Sequence, residues 1–130
     1  MSGIEVVHPS HRSPATAQTT GMRRQAAVSP ETTGNKNLWV GVTITPPHTQ
    51  SGWHHHGDCE TAIYVVRGRA RFEWGQSGDE FAQVGAGDFL AVAPNAIHRE
   101  ITLDDEVELV VARACSGILV VNVAGPEMSS

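Results

Sequence analysis

The stretch Trp53-His54-His55-His56-Gly57-Asp58-Cys59-Glu60 places three histidines and a carboxylate close together, then runs into Thr61-Ala62-Ile63-Tyr64-Val65-Val66, which has the texture of a buried strand. Successive side chains of a strand point to opposite faces. His54 and His56 are therefore expected on one face, with His55 facing away. Glu60 shares their even parity, although Gly57-Asp58 is able to break the strand between them. Ala62, Tyr64 and Val66 are expected to face inward with Glu60. Downstream, Pro94-Asn95-Ala96-Ile97-His98 brings another histidine beside a turn. Two imidazoles and one carboxylate, with a third imidazole from a neighbouring strand, make an open mixed nitrogen and oxygen metal site. The predicted ligands are His54, His56, Glu60 and His98.

On both sides of this stretch the chain reads as short strands. Leu38 to Thr45 is rich in β-branched and aromatic residues and is stopped by Pro46-Pro47. Further strands are expected over residues 53–56, 61–67, 70–74, 80–84, 89–93, 97–103, 107–112 and 118–123, separated by turns such as Gly75-Gln76-Ser77-Gly78-Asp79 and Asp104-Asp105-Glu106. Helical periodicity is almost absent. Eight to ten short strands at regular spacing predict an all-β fold, an antiparallel sandwich or barrel. Residues 38–123 are assigned to this barrel, 124–130 to a C-terminal tail and 1–37 to an N-terminal arm. The arm carries Ile4, Val6, Val7, Met22, Ala26 and Val28. It is too apolar for a solvated tail and is expected to pack, partly extended, on the barrel or on a partner subunit.

The chain has 130 residues, enough for one domain with a real core. Its net charge of -5 argues against a nucleic-acid surface, and its single lysine is Lys36. No apolar run approaches the ~20 residues needed to cross a bilayer. The first twenty residues show no apolar signal core, so a cytoplasmic location is the expectation. Cys59 and Cys115 are expected to be two reduced, partly buried thiols, since two cysteines do not make a disulfide framework.

The histidine stretch resembles the first motif of the cupins, Gly-x5-His-x-His-x3/4-Glu-x6-Gly, with His54, His56 and Glu60 in place. Two departures stand out. His48 occupies the position of the leading glycine, and seven residues rather than six separate Glu60 from Gly68. The second cupin motif, Gly-x5-Pro-x-Gly-x2-His-x3-Asn, is matched at Gly87 and His98, with Pro94 one place late, Asn95 at the glycine position and Thr102 at the final asparagine. Asparagine is the mildest replacement for a glycine in left-handed backbone. The resemblance implies a double-stranded β-helix, or jelly-roll barrel, that pairs through a sheet face as a homodimer.

A site of this composition suits one divalent transition metal, Fe, Mn, Ni or Zn. The expected function is a metal-dependent enzyme acting on a small organic substrate, most simply by an oxygenase-type reaction. Without redox chemistry the same site would serve a cyclase or isomerase through Lewis acidity, as in the polyketide cyclases that the resemblance brings in. The third alternative is a binding module without turnover. Besides Glu60, the candidate catalytic residues are Tyr64, whose hydroxyl could meet a substrate, and Glu100, which shares the parity of His98. Their structural alternatives are a packing aromatic and an exposed cross-strand partner of an arginine. Trp53, Phe72, Trp74 and Phe89 are read as core.

Overall fold

The structure is a computed structural model that describes residues 3–115 and 120–126. Its strands are β1 (Arg23–Val28), β2 (Leu38–Thr45), β3 (His54–His55), β4 (Glu60–Arg67), β5 (Ala70–Trp74), β6 (Glu80–Val84), β7 (Phe89–Val92), β8 (His98–Thr102), β9 (Val107–Ala114) and β10 (Val121–Asn122). Among the described residues the helical content is one 3-10 turn at Pro9–His11, and no helix is long and apolar enough to cross a membrane. Residues 118 and 119 of the predicted last strand lie outside the described residues.

The strands form two antiparallel five-stranded sheets, ordered β1-β2-β9-β4-β7 and β10-β3-β8-β5-β6. Each contributes one apolar face. β4 buries Thr61, Ile63 and Val65, and β9 buries Val107, Leu109, Val111 and Arg113 at alternate positions. Ala70 and Phe72 of β5 meet Ile63, Val65, Leu109 and Val111 in the shared core. Burying a side chain of this size contributes about 1.5–3 kcal/mol. This is the expected all-β, double-stranded β-helix.

The inward rows change character along the strands. At one end lie Val107, Leu109, Val65 and Ala70; at the other, Trp39, Arg113 and Thr61 stand side by side on β2, β9 and β4. Gly41 makes room for Trp39. A Cβ there would collide with the Gln25 carbonyl oxygen and stand 2.6 Å from Trp39 Cη2.

Within the residues assigned to the arm, 23–28 are extended as β1, which pairs with β2 from Arg23↔Ile44 to Val28↔Val40. The polar start of this strand, Arg23-Arg24-Gln25, gives no local strand signal, since an edge strand needs only one apolar face. The chain before β1 folds back over that edge. Ser13 and Ala26 exchange both backbone hydrogen bonds at 2.8 Å, while the Gln18 carboxamide accepts from Arg24 N–H at 2.8 Å and donates to its carbonyl at 2.9 Å. Two expectations are corrected. Cys59 and Cys115 are joined in a disulfide, with Cα atoms 5.1 Å apart. The pairing Glu60↔Ala114 extends one step to bring residues 59 and 115 together, which a separation of 56 in sequence does not reveal. Phe89, moreover, is no core residue: it is 77% exposed on the outer face of β7.

Candidate metal centre

β3 and β8 are hydrogen-bonded neighbours with His54 opposite His98, so two histidines distant in sequence meet on one inward face. His56 joins them from the turn that leaves β3. The ring centroids are 4.3 Å apart for His54 and His98, and 5.2 Å for His56 with either. One ring nitrogen of each lies within 4.8 Å of the others, and all three residues are buried. Asn95 holds the two segments in register. Its φ of 61° is the left-handed conformation expected where the second motif has glycine. Its N–H donates to the Gly57 carbonyl at 2.7 Å, and its Nδ2 donates to Asp58 Oδ1 at 3.1 Å.

The tautomers of two rings follow from their partners. His54 Nδ1 lies 3.0 Å from the Gly52 carbonyl and His98 Nδ1 lies 2.8 Å from the Ala96 carbonyl. A carbonyl only accepts, so each Nδ1 carries the proton and each Nε2 keeps its lone pair. His98 Nε2 is buried with no hydrogen-bond partner in the protein. Burial holds both rings neutral. It depresses His54 far below the ordinary histidine value, helped by His98 and Arg24, and lowers His98 to about 4. Three clustered imidazoles, with two Nε2 lone pairs fixed and one orphaned, fit a divalent transition metal. His55 faces the other way as expected, is nonetheless buried, and accepts from the Gly57 N–H at Nδ1, 3.0 Å away.

Glu60 is not in this cluster. It is exposed on the outer face of β4 with Ala62, Tyr64 and Val66, while Thr61, Ile63 and Val65 face in. The inward reading of Glu60 and Tyr64 is thereby corrected. Parity does not pass through the turn at Gly57-Asp58, where Gly57 has a φ of 58° and Cys59 N–H donates back to the His56 carbonyl, and a one-residue slip exchanges the faces of a strand. Tyr64 instead packs on Phe89 outside the barrel, with ring centroids 4.7 Å apart. Taking the first motif with four residues after its second histidine, and its regular six before Gly68, the carboxylate position falls on Thr61. Thr61 is buried and its Oγ1 has no partner in the protein.

Glu100 is the carboxylate that the barrel does enclose. It follows His98 on the inward face of β8, is 2% exposed, and leaves Oε2 without a partner. Burial raises it to about 7 against the pull of Arg24 and Arg113. The arginine neighbour in sequence, Arg99, faces out and donates to Glu73 Oε1 at 2.8 Å. Arg24 and Arg113, each 1% exposed, complete the charged interior. Arg113 was legible in the alternation that puts Val107, Leu109 and Val111 inside; Arg24 was hidden by the assignment of β1 to the arm. A cavity of about 350 Å³, lined by Phe72, Trp74, Leu90, Val92 and Ala96, opens onto His98.

Known proteins match this architecture. The structure superposes on the polyketide cyclase RemF from Streptomyces resistomycificus with a TM-score of 0.72 at 17% identity, covering 93% of this chain and 86% of that one. It superposes on the Mn(II)-containing oxalate decarboxylase of Bacillus subtilis with a TM-score of 0.73 at 17% identity, covering 88% of this chain and 30% of that one. A double-stranded β-helix protein from Klebsiella pneumoniae gives 0.66 at 16% identity, covering 83% and 90%. At such identities the likeness is one of fold. No curated protein matches the sequence. The profile of the cupin domain matches residues 41–123, which span β3, β4 and β8 with all three clustered histidines, and the chain therefore belongs to the cupin family.

Proposed function

We propose that this protein is a metal-dependent enzyme of the cyclase or isomerase type, acting without redox on a small carbonyl-bearing substrate. The observation that carries the reading is the buried three-imidazole cluster, in which His54 and His98 are held neutral. An open site with two histidines and one carboxylate is the pattern of iron oxygenases, whereas three histidines alone leave a bound dication its full charge. His54, His56 and His98 would hold that ion, which when bound supplies Lewis acidity toward a carbonyl oxygen. The chain's own residues do the rest. Glu100 offers the unpartnered Oε2 as the acceptor for a substrate proton. Phe72, Trp74, Leu90 and Val92 give the cavity apolar walls that exclude water from the reacting atoms. The fold similarity to a polyketide cyclase is in keeping with this chemistry.

The test is metal analysis of protein purified without chelators, followed by keto–enol exchange of phenylpyruvate under argon. Near-stoichiometric metal that is lost in His98→Ala with the fold kept, together with anaerobic exchange, is the expected result. Absence of metal after reconstitution overturns the metal reading. Conversion that proceeds only with oxygen uptake replaces the non-redox reading by the oxygenase.

A further inference from the structure

Among the described residues the inward faces hold several buried hydrogen-bond donors that no protein group satisfies. Arg24 Nε, Arg113 Nε and Nη1, and Trp39 Nε1 are buried without a partner in the protein. The orphaned acceptors facing them are Glu100 Oε2 and His98 Nε2, and the hydroxyls of Thr43 and Thr61 are also unpartnered. The charges are unbalanced in the same direction: among the described residues the buried carboxylates are Glu100 and Glu73, and Glu73 is already paired with Arg71 and Arg99, which leaves the buried guanidiniums of Arg24 and Arg113 against Glu100. An unpaired buried charge is among the costliest features that a fold retains.

The two arginines differ in what they do. Arg24 Nη1 donates to Thr19 Oγ1 at 2.8 Å and to the Ala17 carbonyl at 3.3 Å, so it is committed to holding the arm. Arg113 has no such commitment at Nε or Nη1. Its guanidinium is fixed over the Trp39 ring, 4.4 Å from the centroid. It stands opposite Thr61 on β4, and Thr61 stands opposite Val92, a wall of the cavity that opens onto His98. At Thr61 a neutral hydroxyl occupies the inward position nearest the turn that carries His56.

We infer that Arg113, with Thr61 beside it, is a receptor for an anionic oxygen group, and that the substrate is a small carboxylate with an apolar body. This deepens the proposed function and rests on it for the word substrate; the binding step stands alone. A planar guanidinium presents paired donors that match the two oxygens of a carboxylate. The anion would supply both the missing acceptors and the missing negative charge; Arg113 and Thr61 line a cavity of about 630 Å³ whose apolar walls include Leu38, Ala62, Val92 and Ala112, and which shares Val92 with the cavity of about 350 Å³ that opens onto His98.

The test is calorimetric titration of the full chain, chelator-stripped and metal-reconstituted, with benzoate and with its neutral isostere benzamide. Benzoate is expected to bind at least about tenfold more tightly than benzamide to both forms. Arg113→Met is expected to erase that ratio and Arg113→Lys to retain part of it. Equal affinities, no binding of benzoate, or an unchanged ratio in Arg113→Met overturns the inference. A preference seen only with metal present also overturns it, because the ion then reads the anion, and the three-histidine reading survives. A preference in protein that never takes up metal upholds the inference and removes that reading. The acid-to-amide comparison needs no variant, so it decides even if Arg113→Met fails to fold.

Discussion

Glu60 and Thr61 are neighbours in sequence and lie on opposite faces of β4, the carboxylate outside the barrel and the hydroxyl inside. Glu60→Gln is therefore expected to leave metal stoichiometry and thermal stability unchanged, within about 0.5 kcal/mol for an exposed site. His54→Ala, by contrast, should abolish stoichiometric metal. Plasma mass spectrometry on the two variants separates these outcomes, and loss of metal in Glu60→Gln would return the carboxylate to the ligand set.

Stability of the chelator-stripped protein should rise with pH between about 4.5 and 6.5. His54 and His98 are held below their unfolded value, so the unfolded chain binds more protons there and folding is favoured as pH rises. Glu100 is raised to about 7 and acts with the opposite sign, binding a proton in the folded state that the unfolded chain has released. Two histidines outweigh one glutamate, leaving a slope on the order of 1 kcal/mol per pH unit. Urea midpoints across this range check it, and a flat or falling profile would contradict the neutral state of the rings.

The Cys59–Cys115 bridge closes a loop with a sequence separation of 56, for which the chain-entropy argument gives about 4 kcal/mol. Reduction with dithiothreitol should lower the melting temperature of the parent protein and leave a Cys59→Ser, Cys115→Ser double variant unaffected. Equal response of both proteins would mean that no bridge forms.

Gly41→Ala tests the packing beneath the site. The new methyl group meets the Gln25 carbonyl and the Trp39 ring, and overpacking of this kind costs about 1–3 kcal/mol. A drop in the urea midpoint is expected, together with weaker benzoate binding as Trp39 moves under Arg113. Full retention of both would show that the ring is free to move aside.

Strand alternation makes most of the fold legible in the sequence: β2, β4, β5 and β6 lie where β-branched runs between glycine and proline breaks put them. It placed His54 and His56 together and found His98, because two-residue spacing and a turn before a strand are local signals. It failed wherever the deciding fact was not local. The parity of Glu60 depended on the turn at Gly57-Asp58. The pairing of the cysteines depended on the register of β4 against β9, and the strand character of residues 23–28 on β2 offering an edge. Arg113 fell between these cases: its position was readable, but a charged residue on an inward face is normally taken for the end of a strand.

The turn-back of the arm over β1 has one further consequence. An open sheet edge is a template for any other strand, including the same strand of another molecule. Here Ser13 takes up the outward backbone groups of Ala26, and the Gln18 side chain imitates a peptide group toward Arg24. The arm thus works as a stopper against edge-to-edge polymerisation, and a chain cut back to β1 would present to its neighbours the hydrogen bonds that Ser13 and Gln18 now keep occupied.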